Sequence, residues 1–130
     1  MKLSEYFENV QGLGVLATAD AQGKVDVAVY SRPHFLSDRD DELAFIMAQR
    51  LSHENLQSNA HAAYLFVEQG EGYRGRRLSL TKIREETDAE KIQTLRRRNL
   101  PAECECAETK TRYLVYFRVD ETRPLVGTGE

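Results

Sequence analysis

Cysteine is scarce in this chain. Cys104 and Cys106 are the only two, too few for a disulfide framework. They sit in an acidic loop with no second pair of ligands, and the three histidines, His34, His53 and His61, do not fall at metal-ligand spacing. A zinc site needs about four ligands, so no metal is expected. Long apolar runs are also missing. None approaches the roughly 20 residues that a membrane-spanning helix needs. The N-terminus, Met1-Lys2-Leu3-Ser4-Glu5, carries no apolar signal core, and the expected location is the cytoplasm. Positive charge is not in excess. The net charge of −3 argues against a general nucleic-acid binder. No internal repeat or low-complexity tract is present.

What the chain does have is an ordinary globular composition. Hydrophobic residues make up 41% and charged residues 30% of its 130 residues, which fits one soluble domain over 1–130. A domain of this size buries roughly two thirds of its unfolded surface, enough for a core.

The organising stretch runs from Leu43 to Glu68. Its outer parts, Leu43-Ala44-Phe45-Ile46-Met47-Ala48 and Ala60 to Glu68, are short runs rich in apolar residues, as buried strands are. The middle, Gln49 to Asn59, is polar and helix-compatible, with Ser52 suited to the N-cap. A helix that starts where a strand ends offers free backbone N–H groups in its first turn. With Arg50 and Ser52 beside them, these make a candidate anion pocket.

Elsewhere, Leu3, Phe7 and Val10 at helical spacing predict a short helix over Ser4 to Gln11, capped by Ser4 and ended by Gly12 and Gly14. Val15 to Ala19 reads as a strand. Asp20-Ala21-Gln22-Gly23 reads as a hairpin turn. Val25, Val27 and Val29 alternate with Asp26, Ala28 and Tyr30, the period of a strand with one buried face. Pro33 places Ser31 to His34 at a strand end, edge or bulge. Leu78 to Ile83 and Tyr113 to Val119 alternate as two more strands. Between them, Thr87 and Glu90 have capping-box spacing before a helix to about Asn99; its Arg96, Arg97 and Arg98 read as a wet face. The tail from Glu121 is polar and reads as mobile. The expected fold is mainly β: a small six-stranded antiparallel barrel with short flanking helices.

These residues resemble a known family. Gly14-Val15-Leu16-Ala17-Thr18-Ala19-Asp20, the strand ending Tyr30-Ser31-Arg32-Pro33, Phe45-Ile46-Met47, and Asn55-Leu56-Gln57-Ser58-Asn59-Ala60-His61 are similar in order and spacing to the pyridoxamine 5′-phosphate oxidase-like family of FMN-binding split barrels. The resemblance implies FMN at a homodimer interface. It places the phosphate near the start of the Ser52 helix, with the isoalloxazine along Ser31, Arg32, Phe45, Ile46 and Met47. Arg50, Leu51, Ser52 and Asn55 complete the implied cofactor set. The family usually carries a basic residue where this chain has Ser52, and Arg50 and His53 are the nearby candidates. Its C-terminal arginine signature is not recognisable around Arg123, so pyridoxamine-phosphate oxidase activity is not expected. Tyr73-Arg74-Gly75-Arg76-Arg77 is a basic, aromatic, glycine-containing segment. From it Tyr73 and Arg76 could reach the partner's cofactor, or the segment could simply be a charged hairpin.

Each residue also has a plainer reading. Arg50 can be a solvated arginine, Ser52 only a cap, Asn55 a polar residue of the helix face, and Phe45 and Met47 core. The expected function is an FMN-dependent oxidoreductase or electron carrier of unknown substrate. Haem handling, with His53 or His34 as axial ligand, and a flavin-binding module without turnover are the alternatives; a deazaflavin could replace FMN.

Overall fold

The computed structural model describes residues 2–99 and 112–127, and the side chains of that range apart from 96–99. Cys104 and Cys106, and the side chains of Arg96, Arg97 and Arg98, lie outside it. The elements are α1 (Leu3–Asn9), β1 (Gly12–Ala19), β2 (Val25–Tyr30), β3 (Glu42–Ala48), α2 (Leu51–Ser58), β4 (His61–Glu68), β5 (Gly75–Glu86), α3 (Ala89–Asn99) and β6 (Arg112–Pro124). The six strands form one antiparallel sheet in the order β2-β1-β4-β5-β6-β3. It curls into a half-barrel whose two edges, β2 and β3, are consecutive in the chain. Register shifts at Ser79/Leu80 and Lys82/Arg84 bend the long β5. His34 bridges to Ala44, so the segment after β2 crosses toward β3. No helix among the described residues is long and apolar enough to cross a membrane.

The interior is aromatic. Leu16, Phe45, Met47, Tyr64, Phe66, Leu78, Leu80, Val115 and Phe117 fill it, and Phe7 of α1 plugs one end against Phe66 and Tyr64. Gly14 faces this core because Tyr64 needs the space. A Cβ at Gly14 would lie 1.9 Å from the Tyr64 hydroxyl, which donates to the Ser31 carbonyl at 3.0 Å. The strand β6 is buried on both sides. Val115 and Phe117 point inward, while Leu114 and Tyr116 join Ala44, Ile92 and Leu95 in a second cluster that seats α3 on the outside.

Several local expectations shift. The valines of β2 are not inward. Val25, Val27 and Val29 are 75%, 65% and 70% exposed, while Asp26, Ala28 and Tyr30 share the inner face with their partners Thr18, Leu16 and Gly14. Alternation fixes that one face is apolar but not which face meets the core. Helix α1 takes its N-terminal acceptor from afar: Asp40 accepts from the N–H groups of Leu3 and Ser4 at 2.9 and 3.1 Å, and Ser4 lies within the helix. In α3 the cap is Asp88, whose carboxylate accepts from the Lys91 N–H at 3.1 Å, not Thr87. The strand β6 continues through Glu121 to Pro124, paired with Ser79 to Arg76 of β5, so the stretch read as a mobile tail is sheet that far. The Asp20 turn is as expected: its carboxylate accepts from the N–H groups of Gln22 and Lys24, with Gly23 at φ +85°.

Candidate functional site

Helix α2 lies at the split, packed against β1, β2 and β3. The chain leaves β3 at Ala48, turns, and enters the helix with Arg50 as N-cap in extended backbone. The Arg50 carbonyl accepts the first helical bond, from the Glu54 N–H at 3.0 Å. The N–H groups of Leu51, Ser52 and His53 precede that bond and are open donors of a helix start. The Arg50 side chain does not cap them, nor does any other side chain among the described residues. Ser52 is therefore not the N-cap but the second helical residue, and it is 4% exposed.

Two faces of α2 are anchored differently. Toward β1 and β2, the Asn55 amide donates to the Thr18 hydroxyl at 3.1 Å, both groups buried, and Leu56 enters the core. The Ser52 hydroxyl faces the phenol of Tyr30 at the end of β2. Burial raises the Tyr30 pKa, opposed by that hydroxyl and by the positive field of Arg50. Toward β5 and β6, His53 stacks on Tyr113 and its Nε2 meets both Glu85 oxygens at 3.1 and 3.2 Å. Gln57 and Lys82 donate to the same carboxylate at 3.1 and 2.7 Å. Burial pushes the Glu85 pKa up, but the donors Lys82, Gln57 and His53 outweigh it and hold the group at about 2.

Arg50 itself is exposed and has no ion pair or hydrogen bond from its side chain among the described residues. The start of α2 thus gathers one guanidinium uncommitted among the described residues, three open backbone donors, and the neighbouring hydroxyls of Ser52 and Tyr30. This is the chemistry of an anion site.

The other expected residues lie elsewhere. Phe45 and Met47 are 1% and 0% exposed, in the core. Ile46 faces the outer α3 cluster. Leu51 is exposed beside Arg50. Ser31 is exposed after β2. The guanidinium of Arg32 is held on α1, its Nη1 donating to the carbonyls of Phe7 and Val10 at 2.8 and 3.2 Å. Tyr73 stands 85% exposed in the β4–β5 connection. Arg76 lies over the Tyr6 ring, 4.2 Å from its centroid. The haem candidate His53 is stacked and bonded to Glu85, and its Nε2 is thereby occupied.

No family model matches this chain, and no curated protein matches it. Solved structures share its architecture. An F420 reductase superposes with a TM-score of 0.73 at 17% identity, over 94% of this chain and 97% of its own. An FMN-binding protein from Syntrophomonas wolfei superposes at 0.74 and 16%, over 97% and 85%. A Clostridium acetobutylicum protein related to general stress protein 26 of B. subtilis, named with the pyridoxinephosphate oxidase family, superposes at 0.64 and 13%, over 93% and 84%. The fold is the split barrel of these proteins.

Within the split barrel, sequence reasoning found Arg50, Leu51, Ser52 and Asn55, which α2 brings together. It missed Thr18 as the buried partner of Asn55 and the half-buried Tyr30 beside Ser52. The signal for Tyr30 was available: a large aromatic at the inner end of an edge strand, across from a glycine. The pairing of His53 with Glu85 joins residues 32 apart in sequence, and no local pattern announces it.

Proposed function

We propose that this split barrel binds a flavin phosphate at the start of α2 and works as a flavin-dependent oxidoreductase or electron carrier. The observation that carries this reading is Arg50, an exposed guanidinium with no acid partner among the described residues, beside three open helix N–H groups. The residues present fit the group. A phosphate there would meet the backbone donors of Leu51, Ser52 and His53 and the Arg50 side chain. Leu51, half exposed at the same turn, offers apolar surface for the ribityl chain or ring. When bound, the flavin supplies the redox chemistry. The protein's part is to neutralise the phosphate, hold α2 fixed through Asn55 and His53, and shield the ring from water.

The shielding surface comes from a second copy. Across β2, β1 and β4 the outer face presents Val29-Val15-Leu65 and Val27-Ala17-Ala63 in register, with Val25, Leu13 and Val67 beside them. An apolar sheet face of this kind is left bare in one chain and covered in a homodimer. FMN is the favoured cofactor because the site's chemistry is that of a phosphate monoester; the names of the fold neighbours include both FMN and F420.

The test is the absorbance spectrum of purified protein, followed by titration of apoprotein with FMN, F420 and riboflavin. Flavin bands and tighter binding of FMN than of riboflavin are expected. A Soret band, or no binding of any of the three, would overturn the reading. Consumption of NADH or NADPH by the loaded protein then separates an oxidoreductase from a flavin-binding module without turnover.

A further inference from the structure

A cavity of about 290 Å³ opens between α1, the segment after β2 and α3. Its apolar surface comes from Phe35 and Leu36, backed by the buried Phe7 and Leu95, and its polar lining is Ser4, Glu8, Arg32 and His34. The ring of Phe35 is held in place by stacking on Phe7, at 6.3 Å and 22°. Arg32 is half-buried. Its Nη1 caps the carbonyls of Phe7 and Val10 at the end of α1, as a cation at a helix C-terminus does. That role uses one nitrogen of the guanidinium. The Nε and Nη2 N–H groups have no acceptor, and the charge no carboxylate partner, among the described residues. Its positive field is felt by the buried Tyr64 phenol.

A half-buried guanidinium with a free donor edge, at a polar-lined pocket with Phe35 and Leu36 on its apolar side, suits a particular ligand chemistry. It is an anion whose body is apolar: the planar fork matches a carboxylate, and the walls match a ring or short hydrocarbon. We propose that this cavity binds a small aromatic or branched organic carboxylate, held by the free edge of Arg32 and packed on Phe35 and Leu36. The volume suits one ring and not a nucleotide. Glu8 is exposed at the same cavity and opposes an anion by long-range repulsion. It therefore tunes affinity without supplying it. The proposal is independent of the flavin reading, since Arg32 is committed to α1 while the open donors of the flavin site belong to α2.

The probe is sodium benzoate, followed in amide NMR spectra of the isotope-labelled protein, with benzamide as the neutral isostere. Benzoate should bind saturably with a dissociation constant on the order of millimolar, shifting amides of Phe7, Val10 and Phe35. Benzamide should bind at least about tenfold more weakly. Arg32→Lys keeps a cation at the α1 terminus but loses the fork, and should weaken benzoate about tenfold with the spectrum otherwise intact. Glu8→Gln should strengthen benzoate about twofold. Equal binding of benzamide, shifts mapping elsewhere, or no saturation would overturn the proposal. So would competition by FMN, which would place the carboxylate in the flavin site. If FMN fails to bind while benzoate behaves as stated, the flavin reading falls and this one stands.

Discussion

The imidazole of His53 lies face to face on the ring of Tyr113, with centroids 3.8 Å apart and planes 15° from parallel. Its Nε2 is at the same time within 3.1 Å of Glu85. The first turn of α2, which carries Arg50 and the open N–H groups, is thereby pinned to β5 and β6 as well as to the edge strand β2. A site built from backbone donors works only if the backbone does not move.

That pinning is sensitive to acid. Glu85 sits at about 2 in the folded protein, below the ordinary 4.5 of an unfolded glutamate. Its contribution to stability is present in full above the unfolded value and is lost as pH falls from there through the folded one. Between pH 7 and pH 3 the loss from this group should be about 1–2 kcal/mol, discounted for its partial exposure. Urea unfolding of wild type and Glu85→Gln at both pH values isolates it, because every other carboxylate is common to the two. Equal losses in the two proteins would show that Glu85 does not carry the effect.

Ser52 and Tyr30 should be energetically coupled. Ser52→Ala removes the polar neighbour of the half-buried Tyr30 phenol and should cost about 1 kcal/mol. Tyr30→Phe should cost a similar amount. The double variant should cost less than the sum by a few tenths of a kcal/mol or more, since the interaction between the two hydroxyls is lost only once. Strict additivity in denaturant unfolding would mean the two hydroxyls act separately.

The valine face of β2 supplies a sharper test of assembly. Val27 is exposed in the single chain, so Val27→Asp meets no buried neighbour and should leave the fold intact. In a homodimer joined through this face it buries a charge and should reduce the particle to one chain. Light scattering reports the mass, and circular dichroism the fold. Wild type at the monomer mass across micromolar concentrations would contradict the dimer.

This face also marks where the sequence stopped being informative. The six strands, their approximate extents and the strand–helix–strand of residues 43–68 were readable, because apolar period and turn chemistry are local. The side of β2 that meets the core was not, because valines and a tyrosine–alanine pair are both acceptable to it. What decides is the partner strand: Gly14 and Leu16 of β1 leave room inside for Tyr30 and Ala28. The caps failed for the same reason. Asp40 serves α1 from 36 residues away, and Ser52, a good cap by type, is the second helical residue because α2 already starts after Arg50. Arg50 was legible as a candidate residue since a helix start after a strand is a local feature. That it has no acid partner among the described residues is a property only the fold decides.

Arg50 therefore carries the last prediction. If a flavin phosphate docks at the start of α2, its charge is shared between the backbone donors of Leu51, Ser52 and His53 and the Arg50 guanidinium. The backbone donors survive any side-chain change, so Arg50→Ala should weaken binding without abolishing it. A charge-assisted hydrogen bond contributes roughly 1.5–3 kcal/mol, so FMN should bind about ten- to a hundredfold more weakly. Riboflavin has no phosphate and should be affected far less. Ser52→Ala should affect FMN less than Arg50→Ala does, because the Ser52 hydroxyl is buried against Tyr30. Fluorescence titration of both ligands into wild type and the two variants decides between the outcomes. Equal losses for FMN and riboflavin would mean that Arg50 acts through the fold. No loss for either would place the phosphate away from α2, with Arg74, Arg76 and Arg77 of the β4–β5 hairpin the next cations to remove.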